Sequence, residues 1–166
     1  MTAQNIALFN VARANLTQYV IRQAEAVRRV VGFGYVDRDE APNTDAELIA
    51  AWEHSRKTGL AFPVWSGASE NTIYLHRGGN YAFRFWHDAI HATRGLCMDV
   101  DDEVEIGMMH VKAVEQEFGV DSLEALLMFW DTVGQSMHCY CTGEFPHDQL
   151  AFVYHGVAGT IANRHA

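Results

Sequence analysis

Apolar residues recur at helical spacing along most of this chain, and the stretches between them are short. Over residues 3–31, Ile6, Phe9, Leu16, Val20, Val27 and Val31 repeat at intervals of three, four and seven, which predicts one long amphipathic helix. Arg13, Arg22, Arg28 and Arg29 fill its other face, and Gly32 and Gly34 end it. Arg28-Arg29 is read as a solvated basic edge rather than an anion contact. Residues 32–43 hold Asp37, Arg38, Asp39, Glu40 and Pro42 and are expected to form a loop. Thr44-Asp45-Ala46-Glu47 is a capping box. It opens a short helix that runs to about Thr58, with Gly59 as its stop.

The helical period lapses over residues 59–80. Phe62–Gly67 and Thr72–Leu75 predict irregular chain with one short extended piece, and Arg77-Gly78-Gly79-Asn80 predicts a turn. Trp65 and Tyr74 are assigned to the core rather than to a pocket wall. Helical spacing resumes at 81–94, at 101–118 behind Asp101 or Asp102, and at 122–141 behind Asp121 or Ser122. Pro146 is expected to begin a last helix through Ala151, Tyr154 and Ala158. The pattern predicts a mainly α protein: a single-domain bundle of about six helices over 1–166, with an irregular or short extended segment near 59–80.

Polar residues interrupt three of these helices beside their apolar faces. In the helix over 81–94, Phe83, Trp86 and Ile90 form the expected stripe, His87 and His91 lie on its border, and Arg84 and Asp88 lie just beyond. The pentapeptide His87-Asp88-Ala89-Ile90-His91 places two imidazoles one helical turn apart, close enough to share a metal ion. In the next helix Glu103 and His110 stack on one side, with Gly107 between them leaving room for a close approach. In the third, Leu123, Leu127, Trp130, Gly134 and Met137 form the stripe, and Asp131 and His138 share its edge. Buried acids and imidazoles are costly without partners, so three such pairings point to a shared metal site.

Composition narrows the options. The chain has 166 residues and is 49% hydrophobic, enough for one domain with a real core. It has no stretch that suits a membrane span, and its first residues lack a signal-peptide pattern, so a cytoplasmic location is expected. Cys97 stands alone, and Cys139 and Cys141 are too close in a helix to bond to each other. All three are expected to be reduced thiols, the last two buried. A net charge of −9 argues against nonspecific nucleic-acid binding. It leaves room for a small phosphorylated substrate, because a bound divalent cation reverses the local field. A homodimer remains open.

With His87-Asp88 as an adjacent pair, His54 upstream inside Glu53-His54-Ser55 and Asp131 downstream, the chain resembles the HD-domain metal-dependent phosphohydrolases over about residues 53–131. That resemblance implies an all-helical fold with one or two divalent metals (Mn, Co, Mg, Fe or Zn) held by His54, His87, Asp88 and Asp131, and His91 as a further polar or metal-site residue. It implies that the metals bind a phosphate oxygen and activate a water. Asp88 would bridge or orient that water, and Arg84 would contact phosphate or pair with Asp88. Residues 59–80 depart from the family in looking irregular, and His76 is the substitute for His54. Two other chemistries remain open from the residues alone: a zincin-like hydrolase on the two histidines with Glu103 or Glu105 as third ligand, and a di-iron bundle through Asp88-x-x-His91. A non-enzymatic interaction module is the remaining reading. His138, Cys139, Cys141 and His147 form a weaker candidate for a structural zinc site.

Overall fold

A computed structural model describes residues 3–164. The protein is mainly α, as the periodicity predicts. Its elements in order are α1 (Ala3–Val31), β1 (Tyr35–Arg38), α2 (Asp45–Thr58), β2 (Phe62–Trp65), α3 (Arg77–Arg94), α4 (Val100–Phe118), α5 (Leu123–Phe129), α6 (Gln135–Thr142) and α7 (Gln149–Arg164). A single π-helical turn, Trp130–Gly134, joins α5 to α6. Counting α5, the π turn and α6 as one rod, six helices lie among the described residues, and none is long and apolar enough to cross a membrane.

The chain packs into two compact units. One comprises the chain up to Leu16, Asn71–Ile73 and the chain from Asp99 onward; the other comprises Thr17–Glu70 and Tyr74–Met98.

The second unit is built on aromatic packing. Phe33, Leu48, Trp52, Phe62, Val64, Ala82, Phe85 and Ala89 form its core with Ala24. Phe33 meets Trp52 edge-on at 4.9 Å, and Tyr35 lies 5.1 Å from Phe85 between ring centroids. Burying each such ring contributes about 1.5–3 kcal/mol. β1 and β2 pair in parallel, Tyr35 opposite Phe62 and Arg38 opposite Trp65. Parallel neighbours need a crossover, and α2 supplies it. Residues 32–43 are therefore not simply a loop, and β2 is the short extended piece expected within residues 59–80. The pairing is non-local, and four-residue strands carry too little alternation to announce it. Tyr74 is in the core as expected, whereas Trp65 is 49% exposed, on the outward face of β2. Thr72–Leu75 forms no strand: Arg13 donates to the Ile73 and Thr72 carbonyls in the first unit, and Leu75 N donates to Thr17 Oγ1 in the second.

Helix ends follow local chemistry closely. Thr44 Oγ1 accepts from Glu47 N, and Glu47 Oε2 accepts from Asn43 N, a capping box displaced by one residue. Gly59 takes the left-handed turn that ends α2. Arg28 and Arg29 pair with Glu25 on the surface of α1, so the basic edge is a solvated one. α3 starts earlier than expected: His76 Nδ1 accepts from Gly79 N, and Arg77–Asn80 form the first turn rather than a separate one. Asp99, not Asp101 or Asp102, caps α4 by accepting both of their backbone amides. Ser122 caps α5. α7 begins at Gln149, past Pro146, where Asp148 Oδ1 accepts from Ala151 N.

The first unit packs α4, the α5–α6 rod, α7 and the start of α1 around Ile106, Val114, Leu127, Met128, Val153 and Val157. Phe9 meets Tyr154 edge-on at 4.8 Å. The expected α1 stripe holds at Phe9, Leu16 and Val20, but Ile6 is 48% exposed. A Cβ at Gly107 would lie 2.8 Å from Val133 Cγ2 and 3.0 Å from Thr132 Oγ1. The glycine thus admits the π turn against α4, the close approach that its place in the sequence suggested.

Candidate metal centre

α3 is regular where its two histidines sit, so residues four apart face the same way. The imidazoles of His87 and His91 stand 4.7 Å apart between centroids, with Nε2 of each 2.9 Å from the other. The buried face of α3 is Ala82, Phe85, Trp86 and Ala89, with Phe83 and Ile90 only half-buried. The stripe is thus rotated from the one expected, and His91 lies on the opposite side of α3 from that face. His91 is 2% exposed, fully buried rather than at a border. His87 is half-buried, its ring 5.7 Å from that of Phe83.

The hydrogen bonds assign the protons. His91 Nδ1 lies 3.0 Å from the Leu96 carbonyl. A carbonyl can only accept, so Nδ1 carries hydrogen, and in the neutral ring Nε2 presents its lone pair. With both rings neutral, His87 Nε2–H donates to that lone pair. A histidine that donates one ring nitrogen to a carbonyl and keeps a lone pair on the other has the usual arrangement of a metal ligand. Two imidazoles bound at right angles with metal–nitrogen lengths near 2.1 Å would hold their nitrogens about 3.0 Å apart. The spacing therefore suits a shared cation as well as a hydrogen bond.

The other candidate residues are distributed more widely. Asp88 is half-buried beside His87 on α3. Arg84 donates to the Trp65 carbonyl and lies over the Trp65 ring, 4.9 Å from its centroid, so its guanidinium is engaged there. His54 is exposed on α2, and His76 serves as the N-cap of α3. Among the described residues of this unit, no third His, Cys, Asp or Glu joins His87 and His91 within metal-sharing reach. Glu103, half-buried, and His110, 0% exposed, belong to α4 in the first unit. Glu105 is exposed on the same helix.

Asp131 lies within the π turn, where it accepts from Gln135 Nε2 at 2.9 Å. A π turn holds an extra residue, which displaces everything beyond it by roughly one α-helical step of 100°. Gln135 is consequently buried, and Met137, expected on the apolar stripe, is 44% exposed. Asp131 accepts from Gln135, whereas the His138 ring stands edge-on to Phe152 at 5.1 Å. None of the three cysteines is in a disulfide; Cys141 and Cys97 are exposed and Cys139 is half-buried. The expectation of two buried thiols at 139 and 141 fails because α6 presents that surface to solvent.

A groove of about 890 Å³ opens elsewhere in the second unit, between α2, Pro63 and Trp65 of β2, and residues 39–43. It contains no histidine and is separate from the imidazole pair.

The Leu96 carbonyl was invisible to residue-by-residue reading, since any residue carries one. Gly95, a helix stop directly after the HDAIH segment, was the available signal. No protein-family model, curated protein or solved structure matches this chain.

Proposed function

We propose that this protein binds a divalent metal ion through Nε2 of His87 and His91 and uses it as a hydrolase of phosphoester or nucleotide substrates. One observation carries the metal reading: the buried His91 donates Nδ1–H to the Leu96 carbonyl while its Nε2 meets that of His87 at 2.9 Å. Two imidazoles leave coordination positions for water and substrate. A divalent ion there would polarise a phosphoryl oxygen and lower the pKa of a bound water. Asp88, next to His87, is the proposed base or water-orienting group. Arg84 is proposed to contact phosphate, in exchange for its bond to Trp65.

A zincin-like hydrolase is the second reading. It is favoured by the fact that the converging pair is His87 with His91, the HxxxH spacing, rather than His87 with His54. The metal reading is tested by elemental analysis of tag-free protein beside H87A and H91A. Near-stoichiometric metal lost in both variants is expected; no uptake by the wild type, even after reloading with manganese, cobalt, iron or zinc, would overturn it. Hydrolysis of bis(p-nitrophenyl) phosphate against a fluorescent casein then separates the two chemistries. Single substitutions D88N, E103Q, H110Q, D131N and H54Q identify which remaining candidate contributes a ligand.

A further inference from the structure

His91 is aimed by a backbone carbonyl, and a carbonyl holds its place only if the chain around it does. Two features fix that chain. Gly95 adopts the left-handed conformation, φ 69° and ψ 31°, and its N–H donates to the His91 carbonyl at 2.9 Å. The reversal brings the next carbonyl, that of Leu96, back over the last turn of α3. Two residues further on, Met98 N–H donates to Asp45 Oδ1 at 2.7 Å. Asp45 stands in the first turn of α2, where the helix dipole favours a carboxylate. Residues 95–98 are therefore tied at one end to the last turn of α3 and at the other to the start of α2.

We propose that Asp45 and Gly95 are positioning residues for His91, holding the Leu96 carbonyl that selects the His91 tautomer and thereby setting the affinity for a divalent metal. The proposal rests on the reading of His87 and His91 as metal ligands. A neutral imidazole has one lone pair, and a metal at Nε2 requires the proton on Nδ1. Freeing residues 96–98 lets the other tautomer compete, and only the correctly protonated fraction is ready to bind. Neither Asp45 nor Gly95 touches the metal in this scheme.

The decisive variants are D45A, which removes the acceptor for Met98, and D45N, which keeps one. T44A serves as a control, since it removes the α2 cap without removing the bond to Met98. Long-range ¹H–¹⁵N correlations in the metal-free protein, assigned with H91Q, read the His91 tautomer directly. The wild type, D45N and T44A are expected to hold Nδ1–H, and D45A to populate both forms. Cobalt(II) titration by visible absorption is expected to show D45A and G95A weaker than wild type. Loss of a direct hydrogen-bond partner costs about 10- to 100-fold. Asp45 acts one step further out, so a loss on the order of fivefold is expected. An unchanged tautomer in D45A, or an equal change in T44A, would overturn the positioning role, whatever the wild type binds. A wild type that takes up no cobalt would overturn the metal reading instead.

Discussion

α3 and the rod formed by α5 and α6 carry the same kind of signal, an imidazole and a carboxylate beside an apolar stripe, yet they fold into different things. In α3 the ladder is regular, the four-residue spacing holds, and His87 meets His91. In the rod, the Thr132 hydroxyl donates to the Met128 carbonyl at 2.7 Å beside a five-residue π turn. The seven-residue spacing from Asp131 to His138 consequently loses its meaning. Periodicity places side chains only as far as the helix keeps its period. The π turn packs against Gly107 of α4, so the defect is set by tertiary packing as well as by local chemistry.

That contrast can be broken most forcefully at the base of α3. Phe85 is 0% exposed and meets Phe62 and Tyr35. Phe85→Ala is expected to cost about 3–5 kcal/mol in urea unfolding. A loss under about 1 kcal/mol would mean that α3 does not depend on this face.

Next in size is the functional contrast. H91A is expected to weaken metal binding by at least the about 100-fold upper range for a supporting group, because it removes a ligand outright. H138A, on the irregular rod, is expected to leave binding unchanged. Equal losses by cobalt titration would mean that the two helices act together after all.

The π turn itself is probed through its neighbour. Gly107→Val drives two methyls toward Val133 and Thr132 and is expected to cost about 1–3 kcal/mol by overpacking. Gly159→Ala on α7, where a Cβ meets nothing within 4 Å, is expected to be neutral or stabilising in the same thermal scan.

The smallest effect lies on the surface of α1. The hydrogen bonds from Arg28, followed by its charge and the Arg29 contact, lower the Glu25 carboxyl from 4.5 to about 2. A carboxyl lowered on folding adds stability above its unfolded pKa and loses it as the pH falls through the folded one. The contribution is therefore complete above about pH 4.5 and gone below about pH 2. Glu25→Gln should flatten the decline in stability slightly across that window and lower the neutral-pH melting temperature by a correspondingly small amount, because the pair is exposed. A large loss at pH 7 would contradict this.

Much of the helical architecture was legible because its signals are local. The Thr44–Glu47 box, the Gly32, Gly59 and Gly95 stops, Ser122 as a cap and Gly107 as a point of close approach each act within a turn or at one contact. A short extended piece near Phe62–Trp65 was legible but β1 was not, since Tyr35–Arg38 becomes a strand only by pairing with Phe62–Trp65 across an intervening helix. At the candidate centre, His87 and His91 could be paired from spacing alone. The full burial of His91 could not be read from it, because His91 lies on the side of α3 opposite Phe85 and Ala89, away from the periodic apolar stripe.

The amino-acid order by itself determined a mainly helical chain and put two imidazoles on one helical face, because a four-residue spacing in a regular helix is a geometric constant. Tertiary structure decided which nitrogen of His91 carries the proton. That proton answers to the Leu96 carbonyl, and the carbonyl is placed by a left-handed glycine and by Asp45, which is far away in sequence and hydrogen-bonded only in the fold.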